Sequence, residues 1–163
     1  MNDWPADWDE RMRGKGCPMC AEGRPEIGHG GSARIFEGAQ SDGYLVRVEV
    51  GQRGYAVVIW RGVHVSDPTQ LSDADAATYF GEVLRVARAI EDHYRPIKMN
   101  IEILGNSVPH LHTHVIPRYR DDGSAGHPAR FMRGDAVPDT PIAEREYAEE
   151  VAALRALLGQ NSA

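Results

Sequence analysis

The sequence lacks the features that several classes of protein require. Its net charge is −6 at pH 7, from 24 acidic and 18 basic residues, so it has no general excess of the basic groups that bind nucleic-acid backbones. The longest apolar runs, such as 55–60, are far too short to span a bilayer. Residues 1–5 have neither the basic nor the apolar region of a signal peptide. We therefore expect a cytoplasmic protein that binds neither nucleic acids nor membranes.

Cysteine is also scarce, because the chain contains only Cys17 and Cys20. Structural disulfides are rare in the cytoplasm, whereas the C-x₂-C spacing allows two thiolates to bind one tetrahedral metal ion. A redox disulfide and an unligated thiol pair are the alternatives, although a redox pair would normally follow a strand in a βαβ unit. The spacing indicates a metal site and leaves its other ligands open.

The 163 residues, 42% of them apolar, suit a single domain. Ser72 and Asp75 form a capping-box-like helix start, and apolar residues then recur at helical spacing until Pro96. Turn residues at 41–43 and 51–54 separate the first three strand-like segments, which favours an antiparallel meander. The predicted elements are a short helix at 7–13, strands at 33–37, 44–50 and 55–60, the long helix, strands at 98–104 and 112–119, and a last helix at 144–158.

Three of the seven histidines alternate along one short segment, at His110, His112 and His114. On a strand, side chains two positions apart lie on the same face at roughly 7 Å from each other. Imidazole can act as nucleophile, acid or metal ligand near neutral pH. Chance placement on an exposed strand, or a fortuitous metal site, is the alternative. The pattern indicates a functional site.

The segment His110–Ile116 resembles the His-φ-His-φ-His-φ-φ motif of the histidine triad (HIT) superfamily, in which φ is apolar. The turn 105–109 before it and Pro117-Arg118 after it are also similar, and the resemblance covers about residues 17–120. It implies an α+β, HIT-like fold: a five-stranded antiparallel sheet packed with one long helix, and shorter terminal helices. Residues 1–16 would be an N-terminal arm, 17–120 the HIT domain, and 121–163 a C-terminal loop and helix of the same domain.

The resemblance also implies a chemistry. His112 would attack the α-phosphorus of a nucleotide and form a covalent nucleotidyl-histidine, and His114 would give a proton or hydrogen bond to the leaving group. Asn100, Asn106 and Ser107 would contact the phosphate oxygens. The expected activity is hydrolysis of a dinucleoside polyphosphate or a nucleoside phosphoramidate. The alternatives are a nucleotidyltransferase or phosphorylase with the same intermediate, and a nucleotide-binding module without catalysis.

Zinc-bearing members of this superfamily complete the C-x₂-C pair with a histidine before the long helix and with the first triad histidine. The resemblance therefore implies a structural Zn²⁺ held by Cys17, Cys20, His64 and His110. His29 and His127 are alternatives to His64. Family members usually pair through the long helix and an edge strand, so we expect a homodimer.

Two parts of the chain depart from the family pattern. Many members hold the ribose hydroxyls with an aspartate in the strand corresponding to 44–50, where this chain has none. Glu49 is a candidate substitute, and a solvent-facing strand glutamate is the alternative. Arg130, Phe131 and Arg133 in the C-terminal segment are candidate specificity residues, with solvated arginines as the alternative. One triad φ position, Thr113, is only half apolar, which suits the solvent face of a strand.

Overall fold

An antiparallel sheet of five strands organises the computed structural model, which describes residues 3–47, 52–135 and 142–159. The spatial order of the strands is β1-β2-β3-β5-β4. Their bounds are β1 Ala33–Glu37, β2 Ser41–Leu45, β3 Ala56–Trp60, β4 Lys98–Glu102 and β5 His112–Arg118. The first three strands form the predicted meander, and β5 lies between β3 and β4. The predicted α+β class is confirmed.

Four α-helices accompany the sheet in the described part of the chain: α1 Trp8–Met12, α2 Pro18–Glu22, α3 Asp73–Tyr94 and α4 Glu144–Leu157. Ser72 caps α3, since its hydroxyl accepts the backbone N–H of Asp75. Arg95, in the left-handed conformation, ends α3 directly before Pro96. Helix α3 buries one side against the sheet, as its spacing predicts, although Phe80 and Leu84 on this helix are exposed. None of the described helices has both the length and the apolarity needed to cross a bilayer.

The prediction of a turn at 41–43 is wrong, because these residues begin β2. The turn lies just before them, where the Glu82 carboxylate accepts the backbone N–H groups of Ala39 and Gln40. Asp42 is completely buried in the strand, where it accepts hydrogen bonds from Arg24 and Arg61. A carboxylate is tolerated in such a place only when it is paired. The sequence shows the acid but not its two distant partners. Residues 48–50 of the predicted second strand, among them the candidate ribose-binding residue Glu49, lie outside the described residues.

The two faces of β5 have different surroundings. Val115 packs into the core between the sheet and α3, and Thr113 is fully buried on the same side. The solvent-facing interpretation of Thr113 is therefore wrong: its hydroxyl donates to Tyr79 Oη of α3 at 2.7 Å, and Tyr79 donates to the carbonyl of Val58 at 3.2 Å. His112 and His114 occupy the opposite face, away from α3.

The Tyr79–Thr113 pair predicts coupled stability effects. We expect Tyr79→Phe and Thr113→Val each to lower the free energy of unfolding by about 1–2 kcal/mol, since each leaves a buried hydrogen-bonding group without its partner. The double variant should lose less than the sum of the two, because it removes both groups together. Urea unfolding of the four proteins measures the coupling. Strict additivity would show that the hydrogen bond contributes nothing.

Candidate active site and adjoining metal centre

His112 is held in one tautomer by its own strand. Its side chain is buried, and Nδ1 lies 2.6 Å from the backbone carbonyl oxygen of His110. A carbonyl can only accept, so Nδ1 carries the proton and Nε2 keeps its lone pair. No described residue forms a hydrogen bond with Nε2. The ring therefore has one fixed nitrogen and one that is free to act as a nucleophile.

His114 lies beside His112 with a different partner. The two rings are edge-on, with centroids 4.9 Å apart, and His114 Nδ1 lies 2.7 Å from the hydroxyl of Tyr55. Burial, and secondarily the nearby His112, lowers the pKa of His114 to about 4. Burial also lowers the pKa of His112, against the opposing effect of its bond to the His110 carbonyl. Both rings are therefore neutral at pH 7, the state in which an imidazole nitrogen can attack phosphorus.

His112 and His114 line a cleft of about 530 Å³, within the range of small-molecule sites. Its walls come from the sheet face opposite α3 and from α2, and most of its lining residues are apolar or aromatic: Pro18, Met19, Tyr44, Val46, Tyr55, Val57, Ile59 and Val108. Glu22, His29 and Ser32 supply polar groups to the lining. The cleft thus combines two neutral histidines with a largely apolar wall suited to a planar ring.

The four predicted metal ligands lie together directly beside this cleft. One candidate ligand atom from each of Cys17, Cys20, His64 and His110 lies within 4.8 Å of all the others. His110 precedes β5, and its Nδ1 lies 3.4 Å from both sulfurs. His64 Nδ1 lies 3.4 Å from Cys20 Sγ. The alternatives His29 and His127 are not in the cluster, which is the only such group of three or more found among the described residues.

The orientation of both cluster histidines fits a metal ion. His110 Nε2 donates to the carbonyl of Trp60 at 2.8 Å, and His64 Nε2 donates to the carbonyl of Met12 at 3.3 Å. Each ring therefore turns its Nδ1 lone pair toward the thiols, in the arrangement typical of metal-bound histidine. Burial, and then the neighbouring Cys17, raises the pKa of the Cys20 thiol to about 11. A divalent cation would offset this effect by stabilising the thiolates.

The predicted phosphate-binding residues do not line the histidine cleft. Asn100 lies on β4 and accepts a hydrogen bond from Arg118 Nη1 at 2.8 Å, at the edge of another cleft. Asn106 and Ser107 are exposed in the turn before His110. Ser107 lines a cleft of about 380 Å³ that shares Pro18 and Val108 with the histidine cleft. Contact of these three residues with substrate stays a prediction.

Two residues that the sequence analysis missed organise the site. Tyr55 contacts His114 from 59 positions away. Arg61 pairs with Asp42 and also donates to the carbonyl of Met19 at 2.9 Å and to Tyr44 Oη at 3.1 Å, which joins α2 to the sheet. Each contact links segments distant in sequence. The sequence contains only a weak indication of either residue: Tyr55 directly precedes β3, and Arg61 directly follows it.

Comparison with known proteins agrees with this geometry. The model of the HIT domain family matches residues 44–121. Protein hit of Bacillus subtilis is 35% identical over 100 residues, which is 56% of this chain and 66% of that protein. The bis(5'-adenosyl)-triphosphatase of Saccharomyces cerevisiae is 32% identical over 81 residues, 47% of this chain and 39% of the yeast protein. The matched part of the chain thus spans about two thirds or less of the length of these curated relatives.

A solved histidine triad protein from Bradyrhizobium japonicum has a similar fold. Its TM-score is 0.68 at 23% identity, and the alignment covers 78% of this chain and 90% of that protein. At this identity the likeness concerns the fold alone. The five-stranded sheet with its long helix is therefore the HIT fold.

Proposed function

Because the chain belongs to the histidine triad superfamily, we propose that it is a nucleotide hydrolase whose nucleophile is His112. The observation that carries this proposal is the hydrogen bond from His112 Nδ1 to the His110 carbonyl, which leaves Nε2 free in a cleft shared with His114. The yeast relative named as a bis(5'-adenosyl)-triphosphatase supports hydrolysis of a nucleotide. The proposed substrates are dinucleoside polyphosphates and nucleoside phosphoramidates.

In the first step, the lone pair of His112 Nε2 forms a bond to the α-phosphorus. The bond from phosphorus to the leaving group breaks, and its electron pair goes with the leaving group, beside which we place His114. The ring becomes a positively charged nucleotidyl-imidazolium, and its Nδ1–H still donates to the carbonyl of His110. This hydrogen bond strengthens as the charge develops, so it stabilises the transition state more than the ground state.

In the second step, a water oxygen attacks the same phosphorus and the N–P bond breaks. The electron pair returns to Nε2, a proton from the water passes to solvent, and the neutral histidine is restored. Splitting the displacement in two lets His112 serve first as nucleophile and then as leaving group. The apolar walls of the cleft favour binding of the nucleoside, while Asn106 and Ser107 in the adjoining turn are proposed to reach the phosphate oxygens.

We further propose that Cys17, Cys20, His64 and His110 hold a structural Zn²⁺, since the four ligands suit a closed tetrahedral site. When bound, the metal would supply a cross-link rather than a reactive group. It would join the N-terminal segment to the residue that begins the histidine motif. Helix α2 contains Cys20 and also supplies Pro18, Met19 and Glu22 to the cleft, so the same cross-link would steady one wall of the cleft.

The nucleophile is tested by trapping the intermediate. After brief exposure to diadenosine triphosphate and acid quenching, peptide mass spectrometry should find an adenylyl group on His112. His112→Asn should show no adduct and lose at least about 10³-fold in kcat, because the covalent route is closed. His93→Asn, on α3 away from the cleft, is the matched control and should behave like the wild type. Full activity of His112→Asn would reject the assignment, and product analysis with added phosphate separates hydrolysis from phosphorolysis.

Metal analysis tests the zinc site independently of activity. Protein reconstituted with Zn²⁺ and freed of excess metal should contain one zinc per chain, and chelation should lower its melting temperature, because metal bound only by the folded state stabilises that state. Cys17→Ser should lose the metal, whereas His127→Gln, outside the cluster, should keep it. A wild-type protein with neither bound zinc nor a shift in melting temperature would contradict the site.

We also propose a homodimer that pairs through β4 and α3. In the described sheet β4 has a neighbour on one side only, and Ile101 on this strand is exposed, as are Phe80 and Leu84 one turn apart on α3. Such edges and apolar patches favour association.

Light scattering tests the proposed dimer. It should give the mass of two chains for the wild type and for Val63→Lys, a control on another exposed apolar residue, and the mass of one chain for Ile101→Lys. A monomeric wild type would exclude the dimer.

A further inference from the structure

Tyr55 and His114 both line the cleft, and the hydroxyl of Tyr55 contacts the Nδ1 atom of His114. Tyr55 is buried, with 9% of its surface exposed, and its ring packs at 4.8 Å from that of Phe131. The 2.7 Å contact with His114 Nδ1 is the only hydrogen bond that the Tyr55 side chain makes with described residues. Neither group has another described partner to satisfy it.

This isolation fixes the direction of the hydrogen bond. If His114 Nδ1–H donated to the tyrosine oxygen, the O–H of Tyr55 would be buried without an acceptor, which costs about 1–3 kcal/mol. If Tyr55 donates to Nδ1, both atoms of this contact are satisfied, and His114 Nε2 is left for the cleft that the ring lines. His114 then keeps its proton on Nε2, which is the reverse of the tautomer of His112.

Both partners are held in the neutral state that this bond requires. Burial, followed by the negative charge of Glu102, raises the pKa of Tyr55 far above neutrality, so the phenol stays protonated. Glu102 lies directly opposite His114 in the pairing of β4 with β5. Burial lowers the pKa of His114 to about 4. The pair is therefore a phenol donating to a neutral imidazole.

We propose that Tyr55 is a positioning residue that fixes His114 as the neutral Nε2–H tautomer and thereby restricts the site to substrates whose leaving group departs as a stable anion. This inference rests on the proposed function and chooses between its two substrate classes. It favours phosphoric anhydrides, such as dinucleoside polyphosphates, over phosphoramidates.

The preference follows from where protons are available. When the P–O bond of an anhydride breaks, the leaving nucleotide keeps the electron pair as a phosphate anion, whose second pKa is about 6. It needs only a hydrogen bond from His114 Nε2–H. When the P–N bond of a phosphoramidate breaks, the leaving nitrogen must gain a proton. His114 could give it only by becoming an imidazolate, because its Nδ1 carries no proton and Tyr55 holds its own.

The tautomer of His114 can be determined spectroscopically, without measuring substrate turnover. Histidine labelled with ¹⁵N in the zinc-loaded protein should show His114 with an unprotonated Nδ1 and a protonated Nε2, its signals being assigned through His114→Asn. Tyr55→Phe keeps the packing against Phe131 but removes the donor, so its His114 should populate both tautomers. Tyr119→Phe, which loses a hydrogen bond to the carbonyl of Arg53, is the matched control and should retain the wild-type spectrum.

Kinetics with diadenosine triphosphate and adenosine 5'-phosphoramidate test the selectivity. The wild type should prefer the triphosphate by about 100-fold or more in kcat/KM, the scale of a missing general acid. Tyr55→Phe should lower kcat for the triphosphate about two- to ten-fold with little change in KM, because only the fraction of His114 that is protonated on Nε2 can then donate to the leaving group in the transition state. Tyr119→Phe should match the wild type. Zinc content and melting temperature verify that the variants are folded.

The outcomes separate the two proposals. A wild-type His114 protonated on Nδ1, equal turnover of the two substrates, or an unchanged kcat in Tyr55→Phe would each overturn the role of Tyr55. If the wild type hydrolyses neither substrate and forms no adduct, the proposed function fails and the selectivity fails with it. The direction of the Tyr55 hydrogen bond is then still decided by the spectrum.

Discussion

The hydrogen bond between His112 Nδ1 and the carbonyl of His110 is the contact on which the proposed chemistry depends. It costs the protein no additional residue, because the acceptor is the main chain two positions earlier. It determines which nitrogen is protonated and where the lone pair lies. The His110 residue that supplies this carbonyl is held in place, because its Nε2 donates a hydrogen bond to the carbonyl of Trp60 and its ring lies within the metal-ligand cluster. The geometry of the nucleophile is thus linked to that of the metal centre through one residue.

The three histidines consequently have three different environments. His110 bonds through Nε2 to a carbonyl and turns Nδ1 toward the thiols, whereas His112 bonds through Nδ1 to a carbonyl. His114 has a phenol as its partner. A regular alternation along the chain therefore does not give three equivalent groups. What distinguishes them is the hydrogen-bonding partner that the fold places next to each ring.

The cleft wall formed by α2 depends on buried charge as well as on the cysteines. Asp42 is inaccessible to solvent and binds both Arg24 and Arg61, and Arg61 reaches the carbonyl of Met19. Removing one member of such a buried set leaves an unpaired charge, which is much more costly than losing a surface pair. A short helix with no buried residues of its own is in this way fixed over the sheet.

The sequence by itself determined the long helix with its Ser72 cap and the histidine motif, because periodicity, capping and a local motif are properties of neighbouring residues. The fold class followed from the resemblance of that motif and its flanks to a known family. The sequence also singled out the four residues that gather into the metal-ligand cluster, although two of them only through family resemblance. The position of β2, the burial of Thr113 under Tyr79, and the contact of Tyr55 with His114 were decided only by the tertiary structure. Each of these depends on a partner 18 to 59 positions away, and no local pattern encodes which distant side chain will satisfy a buried polar group.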